Sequence, residues 1–322
     1  MTTSPITLLH TNQADEARAV VAAKHPDLTI HTCDSYAALP DALAETGAEV
    51  IYTVRFDGTP NFPRQALLNC PTVRWVSNGG SGCDHITPWD ASTITVTNAA
   101  GVAADMMAEY CIGGMLHFSL GLDRFRTAQN AREWTAGSVA PIAGKTVLII
   151  GLGHTGVAVA KRARAMGLTV LATRARPAPH PAVDEVYGSD DLPALWSRAD
   201  FVVLATPLLP TTKGIMGAEA FAALKPGAVL LDVSRGGVAD EAALLNALDS
   251  GKLRGAALDV FATEPLPSDH RLWSYENVII TPHCSSVFDG WEAKSVEMFA
   301  DNLTRYRAGA PLTNIVDPTR GY

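Results

Sequence analysis

Arg235, Glu264 and His283 each follow a short apolar run, in "LLDVSRGG", "GAALDVFATEP" and "VIITPHCSS". A guanidinium is a permanent cation whose forked donors suit a carboxylate. A histidine gives or takes a proton near neutral pH, and an acid beside it orients the ring and favours its protonated form. Each residue alone has a plainer reading: Arg235 capping a turn, Glu264 as a surface acid, His283 as a hydrogen-bonded loop histidine. If the apolar runs are strands of an open parallel sheet, all three residues fall on one rim. That rim, outside the carboxyl ends of the strands, is where such sheets bind ligands. Asp259, at the end of the run before Glu264, falls there too.

The stretch "VLIIGLGHTGVAVAKRARAMG" places Gly151, Gly153 and Gly156 in a G-x-G-x-x-G arrangement between a strand and a helix. The first glycine permits a tight turn, the second admits a pyrophosphate to the backbone, and the third lets helix and strand pack closely. The helix N-terminus, with unpaired N–H groups near His154 and Thr155, then faces phosphates. The next strand exits into "LATRARPAP", with Thr173, Arg174 and Arg176. An acid about 20 residues past the first glycine binds the ribose 2′-hydroxyl of NAD; here the count 174 − 151 = 23 arrives at Arg174. An arginine suits a 2′-phosphate instead, so NADP(H) is expected over NAD(H), which stays possible. A solvated arginine in the Pro-rich loop "RPAPHP" is the alternative. A ketone reduced by hydride needs a proton donor, a group that keeps the donor protonated, and a cation for an anionic substrate. His283, Glu264 and Arg235 supply these.

The elements that must position these residues come in two alternating series. Strands are expected at 6–10, 28–32, 49–54, 73–78 and 93–98, with helices such as 14–24 and 36–45 between them. A second series, 145–151, 168–173, 201–206, 228–234, 255–260 and 277–282, is nearly all apolar, as strands buried on both faces are. Helices are expected at 155–166, 240–250 and 291–307, the last packing back onto the first domain. Strand–helix alternation implies parallel sheets with helices on both faces. A mostly helical stretch, 102–132, contains Gly113 and Gly114; either a close helix contact or a break between two helices explains them.

The chain has 322 residues, 47% hydrophobic, which favours a two-domain globular protein. Its net charge of −8 and lack of basic runs speak against nucleic acid or an anionic membrane as partner. No window approaches the roughly 18 apolar residues of a membrane span, and the N-terminal stretch has no signal-peptide pattern. Five scattered cysteines fit neither a disulfide framework nor a zinc site. A cytoplasmic location without a bound metal is expected.

Taken together, "GKTVLIIGLGHTG", "PLLPTTKGIMG", "LKPGAVLLDVSRGGVADEAAL", "GAALDVFATEPLP", Leu272–Trp273 and "NVIITPH" make the chain resemble the D-isomer-specific 2-hydroxyacid dehydrogenase family over essentially its whole length. The resemblance implies an α/β protein of two doubly wound parallel-sheet domains. A Rossmann coenzyme domain, 100–287, would be inserted into a flavodoxin-like substrate domain, 1–99 plus 288–322, closing over a cleft in a homodimer. It implies Arg235 as carboxylate clamp, His283 as acid/base, and Glu264 as its partner. Asp259, Thr206, Pro207 and the Val233, Ser234 and Arg235 segment would line the nicotinamide and its ribose. "GGSGCDHI" resembles the substrate loop, with the Ser81 and Gly82 N–H groups on the carboxylate. Relatives with an arginine after the second coenzyme-domain strand imply a small 2-keto acid, glyoxylate or hydroxypyruvate, as substrate. The chain departs from the usual pattern at His154, where arginine is frequent, at Arg174, where aspartate is frequent, and at Ala205, often histidine. Formate dehydrogenases share the architecture but pair the histidine with glutamine, and dinucleotide-sensing corepressors of the family keep the catalytic residues.

Overall fold

The computed structural model describes residues 4–56 and 59–318. The chain divides into two compact units, Met1–Val102 with Asp289–Tyr322, and Ala103–Phe288. The first boundary falls after Val102 rather than residue 99, because Ala99 and Val102 still hydrogen-bond into the first unit: the Ala99 N–H donates to Gly80 O (3.0 Å) and Val102 N–H to Ala99 O (3.1 Å). The second falls after Phe288 rather than 287.

The first unit holds a five-stranded parallel sheet, β1 (Thr7–His10), β2 (Ile30–Cys33), β3 (Val50–Thr53), β4 (Trp75–Asn78) and β5 (Thr95–Asn98), in the order β2-β1-β3-β4-β5. This is the flavodoxin-like order. Strand alternation sends Leu8, Ile51 and Val76 to the face covered by α2 (Leu39–Thr46) and α3 (Arg64–Leu68). It sends Leu9, Tyr52 and Trp75 to the face covered by α1 (Ala14–Lys24) and the last helix, α10 (Trp291–Arg307). The helix α10 thus returns to the first unit as expected, burying Val296, Phe299 and Leu303 beneath it.

The second unit holds seven parallel strands: β6 (Thr146–Ile150), β7 (Thr169–Thr173), β8 (Glu185–Tyr187), β9 (Phe201–Leu204), β10 (Ala228–Asp232), β11 (Leu253–Leu258) and β12 (Val278–Ile280). Their order, β12-β11-β10-β9-β6-β7-β8, reverses direction between β6 and β9. That is the topological switch point of a doubly wound sheet, and ligands bind beside it. One face carries α4 (Ala104–Leu120) and α6 (His154–Ala165), and the other carries α7 (Leu192–Leu195), α8 (Ala218–Ala223) and α9 (Glu241–Asp249). The helical stretch breaks at Gly121, in the left-handed conformation, before α5 (Leu122–Ala131). Gly113 and Gly114 do not break it. A Cβ on Gly114 would lie 2.7 Å from Leu231 Cδ1, so this glycine lets α4 approach the sheet. Among the described residues no helix is long and apolar enough to cross a membrane.

Candidate active site

At the switch point, β6 runs into the glycine turn. Gly151 has φ +103°, and a Cβ there would meet Ala205 O at 2.4 Å, so the turn packs directly on the chain leaving β9. A Cβ on Gly156 would meet Gly151 O at 2.1 Å, so only glycine lets α6 start this close to the strand. Gly153 faces open space, where a phosphate can approach the first turn of α6 at His154 and Thr155. The three glycines therefore stand in three different surroundings: a tight turn at Gly151, open space at Gly153 and a close helix–strand contact at Gly156. Thr173 is buried; its carbonyl accepts the Gly151 and Leu152 N–H groups (3.1 Å each) and holds the turn from below. It anchors the turn through its backbone.

Just past Thr173, Arg174 is half-buried and Arg176 exposed. Neither guanidinium has a protein partner among the described residues, so both can take an anion. Thr206 and Pro207 follow β9 beside the glycine turn, and the Thr212 hydroxyl fixes Pro207 by donating to its carbonyl (2.6 Å).

Two strands further along the sheet, the polar residues meet. His283 Nδ1 lies 2.9 Å from Glu264 Oε2, and Glu264 Oε1 accepts the Phe261 N–H at 3.0 Å. Because a carboxylate only accepts, Nδ1 carries the proton of that bond and Nε2 is the nitrogen left for chemistry. His283 has φ +51°, a sparsely populated backbone for a non-glycine residue and a form of strain that clusters at functional sites. What holds it there is Asp259. That carboxylate, 1% exposed, accepts from the Thr281 hydroxyl (2.6 Å), the Cys284 and Ser285 N–H groups (2.9 and 3.0 Å) and the Ser285 hydroxyl (2.6 Å). Every one of those donors lies within two residues of His283.

Arg235 follows β10 after the buried Val233 and Ser234. Its Nη1 donates to Ser234 O at 2.7 Å. A Cβ on Gly236 would lie 1.8 Å from Phe261 O, so the Arg235 turn is pressed onto the segment that leads to Glu264. Through that glycine and the Glu264–His283 bond, the structure brings Arg235, Glu264 and His283 into one corner of the second unit.

The family model for the D-isomer specific 2-hydroxyacid dehydrogenase NAD-binding domain matches residues 112–285, more than half of the chain. The chain belongs to the D-isomer-specific 2-hydroxyacid dehydrogenase family. It is thereby an NAD(P)-dependent oxidoreductase acting on CH–OH groups. Among curated proteins it is 31% identical to a glycerate dehydrogenase of Methylorubrum extorquens, covering 78% of this chain and 81% of that one. It is 33% identical to a D-3-phosphoglycerate dehydrogenase of Methanocaldococcus jannaschii over 79% of this chain, but spans only 49% of that longer protein. Among solved structures, an NADPH-dependent glyoxylate/hydroxypyruvate reductase of Sinorhizobium meliloti, in complex with NADP and sulfate, superposes with a TM-score of 0.83. The two are 27% identical, and the match covers 98% of this chain and all of that one.

In this dehydrogenase the first unit, taken by itself, carries a constrained loop. The loop after β4 is tied back by two buried amides. Asn78 Nδ2 donates to Gly80 O and Gly82 O (2.9 Å each), and Asn98 Nδ2 donates to Ser81 O (2.7 Å). With those carbonyls fixed, the Ser81 and Gly82 N–H groups have no acceptor among the described residues and can receive a carboxylate oxygen. Sequence reasoning did not find the two asparagines, the Gly236 contact or the Phe261 N–H. It placed Asp259 against the coenzyme; in the structure the Asp259 carboxylate accepts hydrogen bonds from the loop that carries His283. The buried run around Asp259, with "HCSS" past the next strand, is the signal from which that clamp could be guessed.

Proposed function

We propose that this dehydrogenase reduces a small 2-keto acid, of the glyoxylate or hydroxypyruvate kind, to the D-2-hydroxy acid in the cytoplasm, with NADPH preferred over NADH. The observation that carries the reading is the Glu264–His283 pair, locked by Asp259 and joined through Gly236 to the Arg235 turn. The coenzyme, when bound at the glycine turn, supplies the hydride. Gly151, Gly153 and Gly156 shape its phosphate site, with His154 and Thr155 at the helix start. Arg174 and Arg176 are free to take a 2′-phosphate, and Thr206, Pro207, Val233 and Ser234 line the inner end. Arg235 holds the substrate carboxylate, and His283 delivers a proton from Nε2 to the carbonyl oxygen while Glu264 stabilises the imidazolium. Glu264, an acid rather than a glutamine, sets this chain apart from the formate dehydrogenase reading. The named activities of the Sinorhizobium and Methylorubrum relatives support small hydroxy or keto acids as substrates.

The first unit is assigned the substrate role and the second the coenzyme role. A homodimer is the assembly proposed. Helix α5 buries none of its residues, and Trp134, just past it, is fully exposed at 102%, as a surface awaiting a second copy would be. The experiment is a turnover assay with NADPH and NADH on glyoxylate, hydroxypyruvate, pyruvate, 2-ketoisocaproate and phenylpyruvate. The small acids should lead in kcat/KM, and NADPH should beat NADH. Lack of turnover on every acid would favour a dinucleotide-sensing binding role, and preference for the branched or aromatic acids would overturn the small-substrate assignment.

A further inference from the structure

We propose that Asp232 is the positioning residue for Arg235: its buried carboxylate clamps the turn that aims the guanidinium, and so sets affinity for the substrate carboxylate. The inference rests on the substrate-binding role just given to Arg235.

Asp232 is the last residue of β10 and is 4% exposed. Its Oδ1 accepts both the N–H (3.0 Å) and the hydroxyl (2.5 Å) of Ser234. The Ser234 carbonyl in turn accepts Arg235 Nη1 at 2.7 Å. On the other side of the turn, the Val233 N–H donates to Leu204 O of β9 (3.1 Å), and the Val238 N–H donates back to Arg235 O (3.2 Å). One side chain thus holds the residue before Arg235 by two donors, while that residue's carbonyl holds the guanidinium. A second feature marks the place as built for a polar group. Asp232, Gly236, Gly237 and Phe261 line a cavity of about 20 Å³, room for one water molecule.

A charge is a costly choice here, since a neutral amide would offer the same acceptor. Burial pushes the Asp232 carboxyl up to about 7, against the pull of the Ser234 donors and with a further upward push from Asp259. The titratable groups that face it are Asp259 beyond β11, Cys111 on α4, and Glu241 at the start of α9, itself bonded to His270 at 3.1 Å. The ionised form makes two charge-assisted bonds to Ser234, and these are stronger than their neutral counterparts. As pH falls through about 7 the proton weakens that grip, the Arg235 turn loosens, and substrate affinity drops. Asp232 and Asp259 then serve the two halves of the site alike: one buried carboxylate steadies the cation and the other steadies the histidine.

The test compares wild type, D232A, D232N and R235A. It measures kcat and KM for hydroxypyruvate at saturating NADPH from pH 5.5 to 9, and calorimetric Kd for oxamate on the NADPH complex. D232A should raise KM and the oxamate Kd on the order of 10- to 100-fold, the scale of a displaced positioning group, with a much smaller change in kcat. D232N keeps a neutral acceptor, so its KM should lie near that of the acid-side wild type at every pH, below that of D232A, with no further rise on the acid side. An unchanged oxamate Kd in D232A overturns the clamp, as does a D232N profile that keeps the wild-type acid limb. Should D232A fail to fold, the D232N pH profile decides. R235A separates the two readings. If it leaves the oxamate Kd unmoved, the role of Arg235 itself fails. If it abolishes binding while D232A and D232N behave as wild type, only the clamp fails.

Discussion

Glu264 bonds His283 with one carboxylate oxygen, at 2.9 Å, and the Phe261 N–H with the other, at 3.0 Å. The acid is therefore fixed at both ends before it reaches the imidazole. It does more than sit beside a histidine: it determines which ring nitrogen is presented. Both side chains remain over a third exposed, at 37% and 38%, so the pair is open to a reactant as well as held from behind.

Two substitutions follow from that geometry. His283→Ala should lose roughly 10²–10⁴-fold in kcat, the usual span for general acid–base catalysis, with NADPH affinity retained because the histidine is not its anchor. Glu264→Gln is the subtler change. An amide has one accepting oxygen, yet both Phe261 N–H and His283 Nδ1–H need an acceptor. One bond must be lost or the imidazole must change tautomer, so kcat should fall, by less than in His283→Ala. Stopped-flow reduction and NADPH fluorescence titration check both, and near-wild-type turnover in His283→Ala would remove the residue from the proton transfer.

Arg174 leaves β7 with its backbone N–H pinned to Tyr187 O at 3.1 Å, so the position of its Cα is set by the sheet. Arg176 hangs two residues further out and is exposed. Arg174→Asp should therefore cost NADPH more than Arg176→Ala does. Hydrogen bonds to a charged group are worth about 1.5–3 kcal/mol, so the NADPH-over-NADH ratio should drop on the order of 10- to 100-fold. Steady-state KM for both coenzymes gives the ratio, and an unchanged value would mean that Arg174 is only solvated.

Much of this was legible in the residues, and the reasons are particular. Helices α1 and α10 have the bounds that periodicity sets, because each lays one apolar stripe on a sheet. The strands of the second unit stand out because Val147 to Ile150 and Leu230 to Leu231 are buried on both faces. Strand β8 is invisible to the same reasoning: Glu185, Val186 and Tyr187 form a half-buried edge with no apolar run. At the site, residue types and their places at strand ends can be read, but what fixes them cannot. The Asp259 bonds to Cys284 and Ser285 span 25 and 26 residues and depend on strand register, which has no signature in local sequence. The left-handed backbone of His283 is likewise a product of its surroundings, since nothing about histidine in "TPHCS" calls for it.

Acid should weaken the first unit through His10. Its ring is fully buried, with Nδ1 2.8 Å from Thr53 Oγ1 and the rings of Phe56 and Tyr36 at 4.9 and 5.6 Å. Burial pushes it down to about 4 from 6.5. A histidine depressed in the folded state binds its proton more readily once unfolded, so its contribution is whole above about 6.5 and is lost as pH falls toward about 4. The loss across that window is on the order of 2–3 kcal/mol. Urea unfolding at pH 7 and pH 4.5 should show it, and His10→Asn should flatten the pH dependence. An equally steep acid slope in the variant would place the effect elsewhere.

Gly236 makes the sharpest demand on the corner. A Cβ there would stand 1.8 Å from Phe261 O and 2.7 Å from Ala262 N, both backbone atoms that no side-chain rotation can move aside. Gly236→Ala must therefore push the Arg235 turn and the Phe261–Glu264 segment apart. The two have different attachments: Arg235 is tied to Ser234, which Asp232 holds in turn, and Glu264 to Phe261 and His283. Whichever side yields, the spacing between the cation and the acid–histidine pair changes, and misplacement of about 1 Å can cost 10²-fold in rate. Overpacking of this kind typically costs about 1–3 kcal/mol of stability, so the variant should fold while kcat/KM collapses. Gly237→Ala is the natural comparison. Its added Cβ meets nothing nearer than Leu208 Cδ1 at 3.8 Å, and its cost is the strain of a φ of +92°. The two variants should lose comparable stability in thermal melts, yet Gly236→Ala should lose far more activity. Equal activities would show that the contact between these segments does not set the geometry of the site.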